Sequence, residues 1–423
     1  MSWAEQMGTY RFLDNEKVTE RALIEEMASA CSRNSKGSDL LLMADTCSYN
    51  LNSHSDRVKP GTGLGVIEDN ESVGFYMHTC LVVDSSSNSL VGISDCQLWH
   101  REKSAPDKYN RKYDQLDISQ KSSNRWIKGC QNSKAVLSQA NSLTFVEDRE
   151  GDIYEQFAWI PDERTHLIIR SRENRRIAGE GKLYDVLKDA PVLGYYELCL
   201  ETDRRKNRRK GTVKLAVRAA RVEIVKPANK KDDTLPQTIA LTIVEAVECQ
   251  SDKPQPLCWR LLTDIEVNDL AGALNIIHSY EQRWYIEELH RVIKKQGYNL
   301  EETQLEKGWS IRKLTVMLLR AAIRILQMWL AYDNEKGQNI NEVFSEEEIR
   351  MLKRYNQKLS KDKEPDINPY PPEKLTWATW LIARLGGWKG YKKQHKPGPI
   401  LLIRGYERFQ FMYEGWLMAT ADI

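Results

Sequence analysis

The sequence predicts an α/β protein, on three observations. Two short apolar runs, Leu40 to Thr46 and Leu143 to Val146, lead into acids: Asp45 in the first, Glu147 and Asp148 after the second. Continuous apolar runs of this length suit strands buried on both faces. Helix-compatible segments stand between such runs, the alternation that builds a sheet covered by helices. From Tyr184 to Cys249 the period changes to strands with no convincing helix, which reads as a β-rich insertion in the α/β layer.

The elements follow in order. Residues 1–36 are polar and helical, with Val18 to Ser32 as the clearest helix, and the run ending at Asp45 is a central strand. Val73 to Val83 and Ser89 to Trp99 form a hairpin about the turn Asp84-Ser85-Ser86-Ser87-Asn88. Residues 100–124 are polar and expected as a loop; Asn124 to Ala140 is a helix, and Leu143 to Val146 the second acid-tipped strand. A helix from Asp152 to Trp159 and the strand Leu167 to Ile169 complete this part.

Within the insertion, strands are expected at Leu198, Val213 to Val217, Val222 to Val225 and Ile239 to Val247. Trp259 to Thr263 is one more strand, and Asn268 is placed to cap a long helix running to about Lys295. Beyond Gly297 the chain is helical: Trp309 to Tyr332, a helix among the polar residues 334–373, Leu375 to Leu385 stopped by Gly386-Gly387, and Leu402 to Met418. The division is a helical segment 1–36, a first core part 37–180, a β-rich insertion 181–255, a second core part 256–300 with the long helix, and an α-helical C-terminal domain 301–423.

Composition narrows the function. A chain of 423 residues allows two or three domains. With 29% charged residues and a mean hydropathy of -0.58, a soluble protein with no membrane partner is expected. The most apolar stretch, Leu314 to Tyr332, carries Arg320 and Arg324 one turn apart, as a packing helix would. Met1 to Gln6 has no apolar h-region, so no signal peptide is expected. Eight cysteines form no C-x-x-C pair and no zinc spacing with the seven histidines, so they read as free thiols in a reducing cytoplasm.

A formal charge of +2 is too small to argue for nucleic acid globally, but its distribution is uneven. Six of the seven residues from Arg204 to Lys210 are basic, and Arg164, Arg170, Arg172, Arg175, Arg176 and Lys182 form a second crowd. Solvated loops are the ordinary explanation; two such runs close together suit a phosphate backbone.

The strongest local signal is Tyr280 to Lys294. On one continuous helix Tyr280, Arg283, Glu287 and Lys294 fall within about 60° of one face. A carboxylate flanked by two cations and a phenol can hold a metal through Glu287 while Arg283 and Lys294 grip a phosphodiester; an exposed helix with i, i+4 charge pairs is the plain alternative. Asp45 and Asp148, unless they are simply caps or loop acids, join Glu287 as a three-carboxylate set of the kind that binds two Mg²⁺ ions about 3.5 to 4 Å apart.

These residues carry a resemblance. Tyr280, Arg283, Glu287 and Lys294 match the Y-x2-R-x3-E-x6-K signature of cut-and-paste DDE transposases of the insertion-sequence-four family, and the chain resembles its transposon-five branch. Gly8-Thr9-Tyr10-Arg11-Phe12 is similar to the family's early AYRF-like block, Ala44-Asp45-Thr46 to its first catalytic Asp block, and Asp148-Arg149-Glu150-Gly151-Asp152-Ile153 to its D-R-E-x-D-I block. Pro256 to Lys294 aligns without a gap, and Ala383 to Gly387 resembles part of the C-terminal domain.

The resemblance implies an RNase H-like core, a mixed sheet flanked by helices, with Asp45, Asp148 and Glu287 as metal-binding catalytic acids, the insertion between the second and third acids, and a dimerising C-terminal domain. It implies Mg²⁺, with Mn²⁺ as a substitute, two ions per site. Trp259 takes the place of a tryptophan that stacks on a flipped base, although a core tryptophan is the ordinary reading. Tyr280, Arg283 and Lys294 would hold the surrounding phosphates; Arg170 matches a DNA-contacting arginine, and Arg172 stands where a lysine is more usual. The implied partners are double-stranded DNA, both transposon ends and target, and a second copy in the synaptic complex, in a bacterial cytoplasm near the nucleoid. The AYRF-like block lies almost at the start of the chain, so a segment upstream is expected to be missing, whether through a naturally shortened inhibitory product, a misplaced start codon or trimming; a shortened inhibitor or a DNA-binding regulator is the alternative function.

Overall fold

A computed structural model describes residues 3–59, 61–68, 71–103, 116–200, 211–249, 256–294, 297–332, 334, 338–359, 367–391 and 394–421. The basic run Arg204 to Lys210 lies outside these described residues.

Among the described residues, ten strands form one mixed sheet: β1 (Asp39–Asn50), β2 (Gly65–Val66), β3 (Val73–Asp84), β4 (Ser89–Trp99), β5 (Ser142–Glu147), β6 (Thr165–Arg170), β7 (Val192–Leu200), β8 (Gly211–Val225), β9 (Thr238–Glu248) and β10 (Cys258–Thr263). Their order is β2-β3-β1-β5-β6-β10-β9-β8-β7, with β4 also on β3. β1, β5 and β6 are parallel; every other pairing is antiparallel. The strands of 192–248 thus make no sheet of their own: β9 pairs with β10, and β10 with β6.

Helices cover the sheet. They are α1 (Trp3–Asp14), α2 (Glu20–Asn34), α3 (Asn124–Val136), α4 (Tyr154–Trp159), α5 (Leu183–Asp189), α6 (Leu270–Glu281), α7 (Trp284–Lys294), α8 (Gly308–Ala331), α9 (Glu346–Leu359), α10 (Leu375–Leu385) and α11 (Pro399–Ala421). Successive strand residues point to opposite faces, and two cores follow from that period. Leu41 and Met43 of β1, Val146, Ile168 and Leu261 pack toward α6, α7 and α8; Leu40, Leu42, Phe145, Ile169 and Leu262 pack toward α3, α4 and α5.

α8 is the hub of the helical part, touching β4, α1, α2, α7, α10 and α11. By length and composition it could cross a membrane, yet more than half of its apolar window is buried inside the protein. Its polar groups are engaged: buried Lys313 donates to the Leu13 and Asn15 carbonyls at the end of α1, and Arg320 and Arg324 pair with Glu26 and Glu348.

Four local expectations are corrected. The long helix from Asn268 to Lys295 is two helices, broken at Gln282-Arg283, where Arg283, Tyr285 and Ile286 N–H groups donate three residues back. The break lets Tyr280 turn onto the sheet while α7 buries Ile286, Leu289, Val292 and Ile293. The cap of α6 is Asp269 rather than Asn268, its carboxylate accepting from the Gly272 N–H at 2.8 Å. Asp45 is not at the end of its strand, because the β1–β3 ladder runs on to Asn50–Gly74; it lies just past the end of the parallel β1–β5 pairing, which stops at Met43–Val146. And α5 stands within the segment read as strands alone, a seven-residue helix that buries only Leu183 and Leu187.

Candidate active site

The site assembles on the sheet face that α6 and α7 cover. Asp45 shares the orientation of Leu41 and Met43 in β1; Asp148 follows Val146 at the same parity beyond the end of β5; Arg170 does the same after Ile168 at the end of β6. Strand period alone therefore aims three polar side chains at one face. α7 crosses that face and brings Glu287 down from above, with Arg283 at the α6–α7 junction just before it.

Arg283 ties the acids together. Its side chain is only 13% exposed; Nη1 lies 3.7 Å from Asp45 Oδ2, and Nη2 donates to Glu287 Oε1. Asp45 feels the negative charges of both Glu287 and Asp148, and burial, partly offset by Arg283, pushes its carboxyl up to about 6. The Thr46 N–H binds its Oδ1 at 2.8 Å. Asp148 Oδ1 is buried and has no hydrogen-bond partner.

Tyr280, 6% exposed, lies beside this cluster. Burial raises its phenol, the Asp148 charge adds to the rise, and Arg283 and Arg170 oppose it. Trp259, half-buried on β10, meets the Tyr280 ring edge-on, centroids 6.0 Å apart at 64°. So Asp45, Asp148, Glu287, Arg283, Tyr280, Arg170 and Trp259 converge on one face.

Two expected residues stand apart. Lys294, at the end of α7, sits over the Tyr49 ring and 3.8 Å from Glu301, on a polar cavity of about 550 Å³ lined also by Ser48, Asn50 and Glu68. Arg172 is at the rim, its side chain paired with Glu173 and its N–H bound to Asp152. Of the second basic crowd, Arg164 caps the carbonyls of Leu137, Ser138 and Ala140, and Arg175 is bound to Asp152; both hold loops in place.

Structure adds residues that no local pattern announced. Behind Asp45, on the opposite sheet face, Arg125 Nε donates to Thr46 Oγ1 (2.8 Å), Thr46 Oγ1 contacts His78 Nδ1 (2.9 Å), and Arg125 also pairs with Glu150. His78 is fully buried, and its charged form is strongly disfavoured there. Glu147, also fully buried, accepts from Gln156 Nε2 (2.5 Å) and contacts Cys130 Sγ at 3.4 Å; burial pushes its carboxyl up to about 8. These partners are 32, 79, 9 and 17 residues apart in sequence, beyond any helix or strand period. Trp284, beside Arg283 and 42% exposed, packs edge-on to Trp329.

As they stand, no three His, Cys, Asp or Glu side chains among the described residues are grouped to hold a metal ion. The donor chemistry nonetheless fits a hard divalent cation: carboxylates only, one with a buried oxygen lacking a partner, and a guanidinium already paired with two of them.

No protein-family profile matches the chain. Among solved structures it is similar to a piggyBac transposase synaptic complex with hairpin DNA, at a TM-score of 0.34 and 12% identity, covering 79% of this chain and 60% of that one. The chain thus spans less than two thirds of that protein's length.

Proposed function

We propose that this chain is a DNA transposase of the DDE type, with an RNase H-like core, that cuts transposon ends and joins them to target DNA. The observation that carries this reading is that Asp45 and Glu287 meet on one guanidinium whose charge also acts on Asp148, three acids drawn from a strand, the turn after a second strand and a helix across the whole β-rich segment. The strand order β4-β3-β1-β5-β6, a meander followed by two parallel strands, is compatible with such a core.

Asp45, Asp148 and Glu287 would hold two Mg²⁺ ions, which when bound polarise the scissile phosphodiester and lower the pKa of the attacking hydroxyl. The rest falls to the protein. Arg283 and Arg170 offer guanidinium forks to phosphate oxygens. Trp259, braced by Tyr280, offers a π-face to an unstacked base, and stacking of this kind is worth about 1–3 kcal/mol per base. Lys294 extends the cationic side toward the far end of α7.

In the proposed sequence, water cleaves one strand and frees a 3′-hydroxyl, which attacks the opposite strand to give a hairpin. Water reopens it, and the same hydroxyl joins target DNA. Each step is an in-line displacement at phosphorus with no covalent enzyme intermediate. A homodimer, one site per transposon end, suits synapsis.

The test is to compare Asp45→Asn, Asp148→Asn and Glu287→Gln with the parent on labelled duplex DNA, scoring binding, cleavage, hairpin formation and strand transfer separately. Loss of Mg²⁺-dependent cleavage with retained DNA binding is expected in all three. Cleavage at the parental rate by any one of them overturns the assignment, and cleavage without strand transfer points instead to a nuclease.

A further inference from the structure

Carboxylates brought close together repel one another unless a cation lies between them. The fold supplies that cation from its own chain. The Arg283 side chain, 13% exposed, lies 3.7 Å from Asp45 Oδ2, donates to Glu287 Oε1, and interacts favourably with Asp148. A guanidinium does not deprotonate in proteins, so it can vacate the site only by moving.

We infer that the Arg283 guanidinium is a built-in counter-ion of the carboxylate site, which a divalent cation must displace before Asp45, Asp148 and Glu287 close around it. The inference rests on the proposed reading of those three acids as metal ligands. It explains why the carboxylates of a site with suitable donors are not gathered as a ligand cluster among the described residues: Asp45 and Glu287 are turned toward a planar, five-donor fork rather than a point charge. Asp148 Oδ1, left without a partner, is the lone pair where an incoming ion gains most and competes least.

Displacement has a defined origin and cost. Arg283 sits at the junction of α6 and α7, where the backbone is held by bonds three residues back rather than four. To leave the acids its side chain must turn out toward solvent. Outside, the group with matching geometry is a phosphodiester, which a guanidinium grips bidentately. A nucleic-acid phosphate would thus receive Arg283 when the ion evicts it, so that cation and DNA favour each other.

The experiment is direct Mn²⁺ binding to the full chain without DNA, read by the electron paramagnetic resonance signal of free Mn²⁺, for the parent, Arg283→Gln, Arg283→Lys and Asp45→Asn. Arg283→Gln is expected to bind at least about tenfold more tightly than the parent, a modest shift on the scale of 1.4 kcal/mol per decade. Arg283→Lys, which keeps the charge but loses the fork, falls between them, and Asp45→Asn loses the binding. Should Arg283→Gln fail to fold, Arg283→Lys carries the comparison, and an affinity no higher than the parent's counts against the inference. If Asp45→Asn loses Mn²⁺ while removing the guanidinium gives no gain, the counter-ion role fails and the metal reading stands. If Asp45→Asn binds Mn²⁺ like the parent, both fail.

Discussion

Trp259 and Tyr280 meet edge to face, ring centroids 6.0 Å apart, across the joint between β10 and α6. One ring is half-buried and the other almost wholly so, which makes the tyrosine a brace and leaves the indole available. Trp259→Ala is therefore expected to leave the first nick largely intact and slow hairpin formation by roughly 5- to 150-fold, the rate equivalent of the ~1–3 kcal/mol of base stacking. Tyr280→Phe should resemble the parent in this step. Single-turnover assays that separate nick from hairpin decide it.

Arg175 is bound to Asp152, whose side chain is fully buried and also accepts the N–H groups of Arg172 and Glu173. Removing one partner of a buried pair strands the other charge, at a cost of about 3–5 kcal/mol. Arg175→Met should lower the melting temperature markedly and loosen residues 170–175. Amide hydrogen exchange over that segment provides the check.

Glu147 sets a pH dependence. Its folded-state value near 8, against an ordinary 4.5, means the native protein keeps a proton that the unfolded chain releases between those values. Its contribution to stability is full below about pH 4.5 and is lost as pH rises through 8. Glu147→Gln cannot ionise, so the melting-temperature difference between variant and parent should move in the variant's favour from pH 5 to pH 8. A difference that stays constant, or moves the other way, contradicts a neutral buried Glu147.

Gly405 permits α11 to lie against α10. A Cβ there would fall 1.9 Å from the Ile382 carbonyl oxygen and 2.9 Å from the Gly386 nitrogen, backbone atoms that cannot step aside. Gly405→Ala should cost about 1–3 kcal/mol as the helices are forced apart. Thermal melting of the variant beside Gly415→Ala, where a Cβ meets nothing, isolates the effect.

Much of this was legible because strands announce themselves by period. Leu40 to Asp45, Leu143 to Val146 and Trp259 to Thr263 lie within β1, β5 and β10 as read, and parity alone orients Asp45 and Asp148, just past β5, alike. The helix Leu375 to Leu385 and its glycine stop also fell where expected, with Gly387 at φ +99°. What stayed hidden depends on distance in sequence. The break at Gln282-Arg283 has no proline or glycine to signal it; it reflects the pull of Tyr280 toward Trp259 and of α7 toward its own core. The Arg125–Thr46–His78 chain and the Glu147–Gln156–Cys130 contact join residues that only the sheet brings together. That strands 192–248 extend the main sheet could not be foreseen from alternation, which says that a strand exists and not which neighbour it takes.

That last feature has a practical corollary. β10 is clasped on one flank by β6 and on the other by β9. A shortened protein lacking residues 190–250 would bare the unpaired amides and carbonyls of Cys258–Thr263 along a full margin of the sheet, a template on which one molecule recruits the next. Such a trimmed version would be expected to precipitate on expression, however little the deleted strands contribute to chemistry.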